Sequence, residues 1–201
     1  MKKTILSLIC FLLGSVAMAH PFSKDEYSLR TAVRISDKGI TPLVALEVPF
    51  AKALEEIDAK PDESKKVKLK KIEKYTKKQW EILAENLTFT IDGKKVKGKW
   101  QAIKHPANGK GAEGFFVYLV SFKAKKKILP TDGSVIVIEN QAYPDVPMVY
   151  TGSAKAIEPW VIVTSTPKTI LGEHEAKDLA DPDRWSTDAG LRKMEITIKK
   201  P

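Results

Sequence analysis

The sequence predicts a mainly β protein: an antiparallel, immunoglobulin-like β-sandwich with one long inserted helix over about residues 62–85. Three observations carry this prediction. Short stretches of alternating apolar and polar residues recur along the chain, as in strands with one buried face. Turn signals such as Asp92-Gly93 and Asp132-Gly133 separate them. One segment breaks the alternation and repeats its apolar residues at three- and four-residue steps, the helical period.

The elements follow in chain order. Tyr27, Leu29, Thr31, Val33 and Ile35 share one face of a first strand, with Ser28, Arg30 and Arg34 on the other. Asp37-Lys38-Gly39 signals a turn, and Leu43 to Val48 completes a hairpin. Phe50 to Ile57 is a short helix. Pro61-Asp62 opens the long one, with Leu69, Ile72, Thr76, Trp80 and Leu83 on its buried face and Asp62 and Glu63 complementing its dipole. Leu87, Phe89 and Ile91 alternate into the Asp92-Gly93 turn, and Val96, Gly98 and Trp100 form the return strand. Further strands are expected at Phe115 to Ala124, Val135 to Ile138, Trp160 to Thr164 and Leu191 to Ile198. His105 to Gly114, Gln141 to Ser153 and Pro167 to Gly190 read as loops, because prolines, glycines and polar residues crowd them.

Composition limits the function classes. The chain has 201 residues, 43% hydrophobic and 29% charged, a globular balance. Its one cysteine, Cys10, excludes a disulfide framework and thiolate-built zinc or iron–sulfur sites. The formal charge is +9.

Residues 1–19 read as a signal peptide. Lys2 and Lys3 precede an apolar run from Ile5 to Val16, and Ala17-Met18-Ala19 fits the small-x-small cleavage rule. Ile9 before Cys10 argues against lipid attachment, where a small residue is required. Residues 20–201 are then a single exported β-rich domain, periplasmic or secreted. No later stretch reaches the ~18–20 apolar residues of a spanning helix.

Three constellations bear on chemistry. His20, the expected mature N-terminus, combines an α-amine with an imidazole. With His174 in Glu173-His174-Glu175, or with His105, it offers donors for a divalent transition metal such as Cu, Ni, Co or Zn. Second, eight lysines lie between Lys65 and Lys78. Lys70, Lys71, Lys74 and Lys78 are the candidates for binding an anionic surface. The competing reading is a solvated outer face. The aromatic residues of a single-stranded nucleic-acid platform are missing there, so no nucleic-acid partner is expected. Third, no nucleophile–base motif or metalloprotease motif occurs, and no enzyme activity is expected. The aspartates around Asp178–Asp183 read as a turn before they read as a cation site.

Three segments carry a family resemblance: His20-Pro21-Phe22, the run Glu85-Asn86-Leu87-Thr88-Phe89-Thr90-Ile91-Asp92-Gly93, and Glu139-Asn140-Gln141-Ala142-Tyr143-Pro144-Asp145. In this order they resemble the extracytoplasmic N-terminal region of bacterial nickel/cobalt-exporter-like membrane proteins. The membrane helices that carry transport in that family are absent from this sequence. The resemblance implies a free-standing relative of the periplasmic module, with His20 as the position that keeps ligand chemistry. It also implies an accessory role in transition-metal homeostasis, beside an inner-membrane transporter or another envelope protein. The alternative from the residues themselves is an envelope-associated protein that binds anionic lipid or a protein partner through the lysine-rich helix.

Overall fold

Two β-sheets face each other across an apolar core, and one long helix packs on the same inner face of the larger sheet. The computed structural model describes residues 27–60, 63–103, 111–112, 115–146, 148–166, 185–186 and 192–201. The segment read as a signal peptide lies outside them.

The expected first hairpin forms. β1 (Tyr27–Ser36) and β2 (Gly39–Pro49) pair antiparallel from Ser28↔Glu47 to Ser36↔Gly39. Gly39 takes a φ of 130°, and a Cβ there would meet the Ile128 carbonyl oxygen at 2.9 Å. Glycine is required on both counts. The expected short helix is α1 (Phe50–Glu56), whose first residue stacks on Phe116 at 4.8 Å between ring centroids.

The long helix is α2 (Lys65–Asn86). It starts later than the periodicity predicts. Ser64 takes the cap position, and its hydroxyl accepts the Val67 N–H at 3.4 Å. Glu63 therefore precedes the cap and pairs with Lys71. The buried face also differs. Leu69 is 50% exposed and Trp80 only half-buried, whereas Tyr75, Thr76, Gln79 and Leu83 are buried. Tyr75 and Gln79 can turn inward because a carboxylate and a tyrosine hydroxyl meet them there.

The chain enters β3 (Leu87–Ile91) directly from α2 and turns at Asp92-Gly93 into β4 (Lys94–Lys95). Asp92 and Gly93 have φ of 51° and 72°, as this hairpin type demands. The Asp92 carboxylate accepts the Val135 N–H at 2.8 Å, tying the turn to the next strand. The predicted return strand then divides. β5 (Gly98–Ala102) leaves this sheet and pairs with β7 (Phe115–Ala124) in the other. Trp100 thereby meets Phe122 at 5.4 Å, and Phe122 meets Phe89 at 5.1 Å, both edge to face. These three rings join the two sheets.

The remaining strands are β6 (Gly111–Ala112), β8 (Val135–Asn140), β9 (Met148–Ala156), β10 (Val161–Thr166), β11 (Trp185–Ser186) and β12 (Lys193–Lys199). The larger sheet runs β11-β9-β1-β2-β7-β5, with β6 also on β7; the smaller runs β10-β12-β8-β3-β4. The expectation of irregular structure over Gln141 to Ser153 is corrected by β9. Its strand pairs parallel with β1, from Tyr27↔Met148 to Ile35↔Ala156. Pro144 falls before the strand rather than in it. Among the described residues this is the one departure from antiparallel pairing.

The core is built by alternation from both sheets. Leu29, Val33, Ile35, Val44, Leu46, Tyr118 and Val120 face inward from the larger sheet, and Phe89, Ile136, Ile138, Ile196 and Ile198 meet them. Each such side chain contributes roughly 1.5–3 kcal/mol by leaving water. A second, smaller cluster of Ala32, Leu43, Ala45, Ile103 and Leu119 is buried on the opposite face of the larger sheet.

Candidate functional site

The sites expected from sequence separate sharply. His20, His105 and His174, and the aspartates of 178–183, lie outside the described residues. Among the described residues no group of three or more His, Cys, Asp or Glu is placed to hold a metal ion.

The lysines lie on α2. Its inner face is fixed by the buried residues Tyr75, Thr76, Gln79 and Leu83. The helical period then places Lys66, Lys70, Lys74, Lys77 and Lys78 away from the sheet, and all five are exposed. Lys77 approaches Glu81 at 3.8 Å, one helical turn on, an exposed pair of small energetic weight. Lys70, Lys74 and Lys78 have no ion-pair partner among the described residues. Lys71 behaves differently. It is half-buried, pairs with Glu63 and donates to the Asp58 carbonyl at 2.6 Å. Its ammonium ties α2 to the preceding loop and is not part of the open face. Three of the four lysines named from sequence thus share one surface.

A polar cluster beneath α2 holds this surface in place, and sequence reasoning missed it. Tyr27 at the start of β1 and Tyr75 on α2 both donate to Glu56, at the end of α1. The Tyr75 bond measures 2.9 Å. Tyr118 lies beside them, its ring edge-on to Tyr75 at 6.2 Å. Tyr143 donates to the Gln79 side-chain carbonyl. Burial, with Glu56 nearby, raises the pKa of Tyr27, Tyr75 and Tyr143 far above the ordinary tyrosine value. Burial likewise pushes Tyr118 up to about 12, with the Thr76 hydroxyl pulling the other way. All four therefore stay neutral at physiological pH. The signal available in the sequence was the trio Tyr75, Thr76 and Gln79 at one- and four-residue steps, too polar for an ordinary packing face.

Arg192 locks the adjacent loop. Its guanidinium is buried and donates to the carbonyls of Ala142 (2.8 Å), Tyr143 (2.8 Å) and Pro144 (3.0 Å). It also lies over the Tyr150 ring at 5.6 Å. Tyr143 sits at a φ of 54°, rare for a bulky residue, and the guanidinium fork on its carbonyl helps hold it there. Asn140 closes the loop from inside, accepting the Ala142 N–H at 3.0 Å. Two of the segments that carry the family resemblance meet at this point, because the Gln141 N–H donates to the Asn86 carbonyl at 2.9 Å. The third, at His20, lies outside the described residues.

No protein-family model matches this sequence, and no curated protein matches it. No helix among the described residues is long and apolar enough to cross a membrane.

Proposed function

We propose that this chain is an exported, non-enzymatic β-sandwich module that binds a polyanionic partner, with the outer face of α2 as its recognition surface. One observation carries the reading: Lys66, Lys70, Lys74, Lys77 and Lys78 are exposed on one face of a single helix, with one weak internal pair among them. A merely solvated helix commonly intersperses both charge signs. Here the outer face carries five exposed lysines against three exposed glutamates, Glu73, Glu81 and Glu85, and the lysine excess is greatest over residues 66–70, where it focuses an attractive field on anions. Export is supported by the Lys2-Lys3, Ile5–Val16 and Ala17-Met18-Ala19 sequence pattern. A non-enzymatic role is supported by the absence of a recognisable nucleophile–base motif in the sequence.

The test is binding of the mature protein to soluble polyglutamate at low and at physiological salt. A Lys70→Glu/Lys74→Glu/Lys78→Glu variant should lose binding. A Lys94→Glu/Lys95→Glu/Lys99→Glu variant, with the same change of net charge on other exposed lysines, should retain most of it. Equal losses in the two variants would reduce the effect to net charge and reject α2 as the surface.

A further inference from the structure

The lysines of α2 would suit any polyanion, but the residues between them narrow the choice. In the first two turns the exposed positions run Lys66, Val67, Leu69, Lys70, with Val67 45% and Leu69 50% exposed. Six large hydrophobic side chains are exposed among the described residues, and two of them stand in this one stretch. Val67 and Leu69 are two residues apart, so they fall on opposite flanks of the helix, with Lys66 and Lys70 between them. Over residues 66–70 the pattern is an outward-facing basic strip edged by apolar side chains, with the first exposed glutamate of that face, Glu73, one turn further on.

We propose that the partner is the anionic headgroup surface of a lipid bilayer, approached by the N-terminal half of α2. This rests on the reading of α2 as the recognition surface and adds the class of partner. An acidic protein or polysaccharide satisfies the ammonium groups but offers little to cover Val67 and Leu69. A bilayer interface satisfies both. Phosphate oxygens take Lys66, Lys70 and Lys74, and the boundary with the acyl chains takes the valine and leucine side chains. The long lysine stems let the charges stay at headgroup level while the helix settles between them. Attraction of this kind strengthens by about fivefold for each lysine near an anionic surface and fades within a Debye length of ~8 Å at physiological salt.

The experiment is sedimentation of the intact mature protein with vesicles of equal parts phosphatidylglycerol and phosphatidylcholine, and with phosphatidylcholine alone. Soluble polyglutamate binding is measured in parallel. Wild type should partition onto the anionic vesicles and not onto the neutral ones. The Val67→Asn/Leu69→Asn variant should lose about tenfold or more of vesicle partition while keeping wild-type affinity for polyglutamate. Leu69→Trp should partition more strongly than wild type. If Val67→Asn/Leu69→Asn and wild type bind vesicles equally, or if wild type binds polyglutamate but not vesicles, the membrane assignment is overturned and the polyanion reading stands. If wild type binds neither, both fail.

Discussion

Glu56 accepts the Tyr75 hydroxyl at 2.9 Å on one carboxylate oxygen and the Tyr27 hydroxyl on the other. One side chain thus joins the end of α1 to α2 and to the first strand. Hydrogen bonds to a charged acceptor are worth about 1.5–3 kcal/mol each, and less where water competes, as it does at the exposed Glu56. Glu56→Ala is expected to cost about 1–3 kcal/mol in urea unfolding. Tyr118→Phe removes a buried hydroxyl that donates to no protein acceptor, and it should change stability by less than about 0.5 kcal/mol. A large loss in Tyr118→Phe together with none in Glu56→Ala would contradict the assigned network.

The tyrosines also set an alkaline limit. Tyr27, Tyr75 and Tyr143 keep their protons far above the usual value of 10.0, and Tyr118 keeps its proton up to about 12. Each of these hydroxyls is neutral in the fold where it would already be ionised in the unfolded chain. The unfolded chain therefore binds fewer protons above pH ~10, and stability falls as pH rises through that point. Below pH ~10 these groups give no pH dependence. Tyrosinate absorbance should lag behind that of a model tyrosine and then rise together with loss of the circular dichroism of the fold. Smooth titration of every tyrosine near pH 10, with the fold intact, would refute the burial argument.

Arg192 holds three carbonyls of the 142–144 loop. Arg192→Ala should cost about 3 kcal/mol, because buried carbonyls lose charged donors. Arg192→Lys should restore little of it, since an ammonium cannot span the three acceptors as the planar fork does. Denaturant midpoints for the two variants give the comparison, and near-complete rescue by lysine would mean that charge alone matters.

Much of the fold was legible because alternation reports burial. β1 and β12 fall where Tyr27–Ile35 and Leu191–Ile198 alternate, and β2 and β7 fall on the apolar runs Leu43–Val48 and Phe115–Ala124 set off by proline and glycine. β9 was not, for two physical reasons. Prolines just before it imitate a loop, and its main partner is a parallel strand at the far end of the described chain. The exchange of β5 between sheets was equally hidden, since residues 94–102 look like one strand locally. On α2 the outer lysines could be read from helical period. The inner face could not, because Tyr75, Thr76 and Gln79 become core residues through partners supplied by distant segments. Lys71 was indistinguishable from its neighbours until Glu63 and the Asp58 carbonyl claimed it.

Two turn glycines separate strain from crowding. Both Gly39 and Gly93 lie at positive φ, but only at Gly39 would a Cβ meet another atom, the Ile128 carbonyl oxygen at 2.9 Å. Gly93→Ala should cost about 1–2 kcal/mol from the backbone alone. Gly39→Ala should cost more, because the β1–β2 turn must also move away from Ile128. Thermal unfolding of the two variants orders them, and equal losses would show that the Ile128 contact yields freely.

The claim that the outer face of α2 is the recognition surface is tested most directly by amide chemical-shift mapping of the intact mature protein as soluble polyglutamate is added. The account predicts that the largest shifts fall on α2 between Lys66 and Lys78, and that they vanish in the Lys70→Glu/Lys74→Glu/Lys78→Glu variant. Shifts centred elsewhere, such as on β10 or the β3–β4 turn, with α2 unmoved, would contradict it.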